Sequence, residues 1–170
     1  MEILEPLALF PGYWVSNRGY IKHERSKSPL RPQINQGGTI YVSLNKDARA
    51  FNRSLAKLVA ETFLPTPESD DFDTPINLNG DRFDCRVENL MWRPYYFARK
   101  YHQQFGGDRE DFHNPVFLPE TNRRFESVWD AAITYGLLVR DILLKTYIQE
   151  SVWPGNHRFQ FVSRIPYTRA

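Results

Sequence analysis

A chain of 170 residues that is 41% hydrophobic and 25% charged is long enough for one ordinary domain or two or three small modules, and it is globular in composition. No apolar run approaches the length of a membrane span and Met1-Glu2-Ile3-Leu4-Glu5 lacks the basic start of a secretion signal, so the expected location is the cytoplasm, with no membrane partner. A single cysteine, Cys85, excludes an internal disulfide and a cysteine-based zinc cage, and a net charge of +2 is so small that its distribution matters more than its sum.

In chain order, residues 10–21 read as a strand, an Asn17-Arg18-Gly19 turn and a second strand. Lys22, Arg25, Lys27 and Arg31 follow, interleaved with Ser26, Ser28 and Pro29 in a stretch with little apolar content. Such cations can lie along a DNA backbone, each adding salt-dependent, sequence-independent affinity; the same pattern equally fits a solvated basic loop. Residues 37–44 alternate as a strand and turn at Asn45-Lys46-Asp47 into a second short strand through Phe51. Ser54 caps a helix whose Leu55, Leu58, Val59 and Phe63 fall on one face and which ends at Pro65. Up to Pro65, nine Lys and Arg, including Arg53 and Lys57, stand against five acids.

Residues 66–74, with Pro67 and four acids, form an acidic loop. In the stretch 75–92 after it, Asn79-Gly80-Asp81 is a tight-turn signal between residues of strand character and predicts a hairpin. From residue 66 to 93 the balance is three Arg against seven acids, a setting that repels phosphates unless a cation is bound. Pro94 opens a helix to about His102 that carries Arg99 and Lys100, and residues 103–114, with Gly106-Gly107, read as a linker.

Arg86-Val87-Glu88-Asn89-Leu90 followed by Trp92 resembles the core of the HNH nucleases, in particular phage and intron homing endonucleases. Their pattern runs Asn/Asp-His-x-Asp-Gly, a short gap, then Arg-Val-Glu-Asn-Leu-x-Trp. Tyr13-Trp14-Val15-Ser16-Asn17-Arg18-Gly19 is similar to the small module that precedes many of these nucleases. Leu58-Val59-Ala60 matches their His-Arg-Leu-Val-Ala segment, with Ala56 at the family's His and Lys57 at its basic position. Residues 114–162 resemble a second accessory module of the family, a strand-helix-turn-helix-strand unit, through Phe125, Ser127, Ala131, Ala132, Gly136, Ile142, Phe159 and Phe161; Ser127 and Asp130 form a capping pair. The resemblance implies an α+β fold of small modules with a central ββα (HNH-like) remnant and a C-terminal helix-turn-helix-like unit. The expected parts are an accessory β module over 1–50, a degenerate core over 51–104, a linker over 105–113 and the closing module over 114–165.

Laid on the family pattern without gaps back from Trp92, the chain keeps the scaffold and loses the chemistry. Asn77 stands at the family's His, Ile76 at a metal-binding Asn or Asp, and Asn79 at the Asp before Gly80. Asn89 matches the central Asn, and Ala98 stands where the following helix has a ligand, usually Asn. Phosphodiester hydrolysis at such a site needs a base to take a proton from water and a divalent ion to neutralise the leaving group. A carboxamide is no base near neutral pH, and neither Ile76 nor Ala98 offers a metal a lone pair. No catalytic residue, metal or cofactor is therefore expected, and Asn89 is expected to be structural. His102, one helical turn beyond Ala98, is the sole support for a displaced magnesium-type site.

In the family the second helix of the closing module enters a DNA groove with short polar residues at its start. Here Leu138-Val139-Arg140-Asp141 continues as Ile142-Leu143-Leu144-Lys145, and a core face of Val139, Ile142, Leu143 and Thr146 leaves Leu138 and Leu144 as an expected protein-contact strip. Three readings stand: an inactive relative that binds double-stranded DNA through Lys22, Arg25, Lys27, Arg31, Arg53, Lys57, Arg140 and Lys145; a scaffold repurposed for protein contacts in a phage or host complex; and an active nuclease with a displaced metal site. For a phage-encoded chain the cytoplasm is the host's.

Overall fold

Residues 1–107 and 114–162 are described in a computed structural model, in which the chain divides into two units, Met1–His102 and Gln103–Ala170. The first opens with an antiparallel sheet of β1 (Leu4–Pro6), β2 (Tyr13–Ser16) and β3 (Tyr20–His23), in that order, with Val15 opposite Ile21 and both without exposure. The Asn17-Arg18-Gly19 turn lies between β2 and β3 as expected, with Gly19 at φ +84. This turn is seated on the central stretch: Val87 N–H donates to the Asn17 carbonyl at 3.0 Å, and a Cβ at Gly19 would lie 2.5 Å from the carbonyl carbon of Cys85.

A second antiparallel sheet, β4 (Gln33–Ile34), β5 (Ile40–Lys46) and β6 (Arg49–Ser54), turns its alternating Ile40, Val42 and Leu44 into the core. The turn between β5 and β6 falls at Asp47 and Ala48, both left-handed at φ 50 and 59. Helix α1 (Leu55–Phe63) starts where Ser54 Oγ accepts the Lys57 N–H at 3.3 Å, and its apolar stripe buries Leu55, Leu58, Val59 and Ala60. Phe63 packs on the core only partly buried. One cluster from Phe10 through Val42 and Val59 to Leu90 makes the core of this unit. Burying each such side chain contributes about 1.5–3 kcal/mol. This core draws on residues from both sides of residue 50, within the compact unit Met1–His102.

β7 (Thr74–Asn77) and β8 (Leu90–Arg93) pair antiparallel, with Ile76 opposite Met91 and Asn77 opposite Leu90, and α2 (Tyr95–Gln103) follows. The expected tight hairpin at Asn79-Gly80-Asp81 is corrected. Gly80 does turn at φ +79 and its N–H meets the Asn77 carbonyl at 2.9 Å, but the strands are joined by the whole of residues 78–89. Side chains hold that longer path: Asn79 Oδ1 accepts the Asp81 N–H and Asp81 Oδ1 the Phe83 N–H, both at 2.9 Å, so two short polar residues in series replace a two-residue tip.

In the second unit, β9 (Val116–Leu118) lies between β10 (Arg123–Phe125) and β11 (Gln160–Phe161), and α3 (Val128–Tyr135) and α4 (Val139–Tyr147) pack with them on a core of Val116, Leu118, Ala131, Leu137 and Ile142. Ser127 caps α3, accepting the Asp130 N–H at 3.1 Å and donating to its carboxylate at 2.8 Å, and Gly136 ends it at φ +60. Helix α4 has no cap of its own. Gln104 serves instead, its Oε1 accepting the Val139 N–H at 3.1 Å and its Nε2 donating to the Leu137 carbonyl at 3.3 Å. Structure thus enters the expected linker, where Phe105 also packs on Trp129 with ring centroids 5.3 Å apart. The rest of that linker, residues 108–113, and the end of the closing module beyond residue 162 lie outside the described residues. No described helix is long and apolar enough to cross a membrane.

Candidate functional site

The residues at the family's catalytic positions are folded inward and engaged with one another. Ile76 has no exposure and Ala98 is 2% exposed. Asn77 and Asn89 are buried, and both carboxamides donate to one acceptor, the Asp84 carbonyl, at 2.9 and 2.8 Å. Asn89 also accepts the Asn79 N–H at 3.0 Å and donates to Asn79 Oδ1 at 2.9 Å, while Asn79 Nδ2 reaches the Asp84 carboxylate at 2.9 Å. Arg86 closes the set with a bidentate grip on Asp84 at 2.8 and 2.7 Å. That grip holds the Asp84 carboxyl below its usual range. Three asparagines and one aspartate thus fasten the loop 78–89 across the mouth of the β7–β8 pair.

His102 belongs to the same cluster. Its Nε2 accepts the Asn77 backbone N–H at 3.3 Å, which engages the lone pair a metal would need. Burial, aided by the Arg82 cation and opposed by a hydrogen bond to the Ala98 backbone, lowers its pKa to about 4. Arg82 itself donates to the Gly37 and Gly38 carbonyls at 3.2 and 2.8 Å, tying the β4–β5 turn to the loop. The divalent ion that the family's chemistry implies does not fit this donor set: two of its positions are aliphatic, the third is an uncharged carboxamide buried against the Asp84 carbonyl, and the neighbouring imidazole is occupied. Among the described residues no three His, Cys, Asp or Glu side chains converge.

The neutral His102 carries a pH signature. Its pKa falls from 6.5 in the unfolded chain to about 4 in the folded one. The unfolded state therefore takes the proton first, and stability is full above pH 6.5 and declines as pH falls towards 4, at up to about 1.4 kcal/mol per pH unit. His102→Gln should remove that slope, measured as the difference in denaturant midpoint between wild type and variant across the window; parallel pH profiles would contradict it.

The cations expected to meet DNA differ in availability. Arg25, Lys27, Arg31 and Lys57 are exposed, Arg25 with Glu24 at 3.9 Å and the other three without an ion pair among the described residues. Lys22 is half-buried on β3. The Arg53 guanidinium stacks 5.5 Å from the ring centroids of both Phe10 and Phe51, a cation–π arrangement that still leaves the residue exposed. In the closing unit, Arg140 is exposed, whereas Lys145 is paired with Glu150 and so has its charge locally offset.

The expected exposure of Leu138 and Leu144 holds at Leu144 and is corrected at Leu138. Leu138 precedes α4 in extended backbone, at φ −83 and ψ 128, and is half-buried, so helical spacing does not place it. The exposed apolar residues are Leu144, Tyr147 and Ile148, at 57, 73 and 46% exposure, while Val139, Ile142 and Thr146 are buried as expected. The sequence reading missed the Asp84 hub, Arg82 and Gln104. Three asparagines within thirteen residues were a signal for the first; the other two act across distances no local pattern records.

No family model matches the chain. Over 88 residues, 51% of its length, it is 36% identical to an uncharacterized HNH endonuclease of Acanthamoeba polyphaga mimivirus, and the match spans 22% of that protein. Its fold is similar to that in a structure described as DNA binding and cleavage by the HNH homing endonuclease I-HmuI, with a TM-score of 0.51 over 95% of this chain and 99% of that one, at 17% identity.

Proposed function

We propose, from the premise that this chain is HNH homing endonuclease-like in sequence and fold, that it binds double-stranded DNA and does not hydrolyse it. The observation that carries the reading is the occupied remnant: Asn77 is engaged with the Asp84 carbonyl, Ile76 and Ala98 are buried aliphatics, and the one nearby imidazole accepts a backbone amide. These side chains offer a water molecule no base, and offer a divalent ion no carboxylate or free imidazole to hold it. Binding needs neither. Exposed Arg25, Lys27, Arg31, Arg53 and Lys57, with Lys22 beside them in sequence, supply phosphate contacts on the first unit, and Arg140 supplies one on the second. Phosphate contacts carry no sequence information, so preference among sequences is expected to be weak.

The test is a salt titration on duplex DNA. Each phosphate contact releases counterions, and log affinity falls with log salt by about 0.9 per contact. Neutralising Lys27, Arg31 and Lys57 together should reduce the slope by about 2.7. An unchanged slope removes these residues from the interface, and absence of binding at low salt removes DNA as the partner. A second reading, contact with another protein in a phage or host complex, is favoured by the exposed Leu144, Tyr147 and Ile148 at the end of α4, and it is the one left standing in that last case.

A further inference from the structure

Helix α2 buries Phe97, Ala98 and Tyr101 and leaves Tyr95, Tyr96, Arg99 and Lys100 exposed. These four stand at i, i+1, i+4 and i+5 and form a single strip spanning roughly 6–8 Å of helix axis. The tyrosines are 62 and 59% exposed, although rings of this size are ordinarily among the most buried surfaces a small domain has. The helix contains no acidic residue, and neither Arg99 nor Lys100 makes an ion pair among the described residues. Two uncompensated cations beside two amphipathic rings suit a polyanion with sugar surface between its charges. They do not suit a neutral apolar protein, which would leave the cations unpaired.

We propose that this face of α2 is a duplex-DNA contact surface. Arg99 and Lys100 pair with phosphates, and Tyr95 and Tyr96 lie against the intervening deoxyriboses with their hydroxyls as phosphate donors. The inference rests on the DNA-binding reading and adds to it a second surface, separate from the cations assigned above. It also gives the α2 of the remnant a role: the inner face completes the core while the outer face positions the nucleic acid.

The experiment uses the full chain and a mixed-sequence duplex, titrated by fluorescence anisotropy from about 50 to 200 mM salt. Arg99→Gln/Lys100→Gln should reduce the log–log slope by about 1.8, two contacts at about 0.9 each. Tyr95→Ser/Tyr96→Ser should weaken binding roughly five- to tenfold at every salt concentration, the scale of two hydrogen bonds, and leave the slope unchanged. Should either double variant unfold, the single variants Arg99→Gln and Lys100→Gln, each worth about 0.9 in slope, carry the test. Wild-type affinity and slope in folded variants would overturn this surface and leave the DNA reading intact. Failure of the wild-type chain itself to bind at low salt would overturn both.

Discussion

Replacing Gly19 by alanine should destabilise the first unit by roughly 2–5 kcal/mol, the combined cost of a left-handed β-carbon and of overpacking. The positive φ of +84 disfavours any side chain, and the added Cβ runs into the Cys85–Arg86 peptide group, 2.5 Å from its carbonyl carbon and 2.7 Å from both its nitrogen and its oxygen. Backbone cannot swing aside as the end of a long side chain can. Relief requires lifting the β2–β3 turn from the loop, which breaks the hydrogen bond from Val87 to Asn17. Since small domains have only about 5–15 kcal/mol in total, the variant should show a large drop in denaturant midpoint. Gly106→Ala, with nothing within 4 Å of the new carbon, is the control and should change stability by no more than about 0.5 kcal/mol. Equal midpoints for the two variants would contradict the seating of the turn on the loop.

Asn89→Ala should cost about 1–3 kcal/mol, the cost of one partly buried polar group left unsatisfied. The substitution strands the Asn79 N–H, leaves Asn79 Oδ1 with the Asp81 N–H alone, and leaves the Asp84 carbonyl with Asn77 alone. Asn79→Ala should cost less, because that residue is exposed and water can replace what it loses. The measure is the chemical-denaturation midpoint of each variant. A mild effect at Asn89, or a larger one at Asn79, would mean that the hub does not fasten the loop.

Much of this architecture is local and was therefore legible in the residues. The Asn17-Arg18-Gly19 turn, the Ser54 and Ser127 caps, the buried stripe of α1 and the helix after Pro94 each depend on side chains within a few positions of one another. The β7–β8 connection was misread because Asn79-Gly80 does turn the chain, yet the strands resume only at Leu90; what makes the longer loop stable is the convergence of Asn77 and Asn89 on a main-chain carbonyl, which no spacing rule anticipates. The capping of α4 by Gln104 spans 35 positions and is invisible for the same reason. Leu138 was misplaced because helical periodicity was extended one residue past the helix start. At the candidate site the substitutions of Ile76, Asn77 and Ala98 could be read directly. That His102 is engaged by the Asn77 amide, rather than open to a metal, required the folded chain.

Whether this HNH-like scaffold binds DNA without cutting it is decided by incubating the wild-type protein with supercoiled plasmid and magnesium or manganese, under conditions where binding has been established by band shift. The plasmid should remain supercoiled once protein is removed. Nicked or linear product that accumulates with time and disappears in His102→Ala would contradict this, and would establish a displaced metal site built around that histidine.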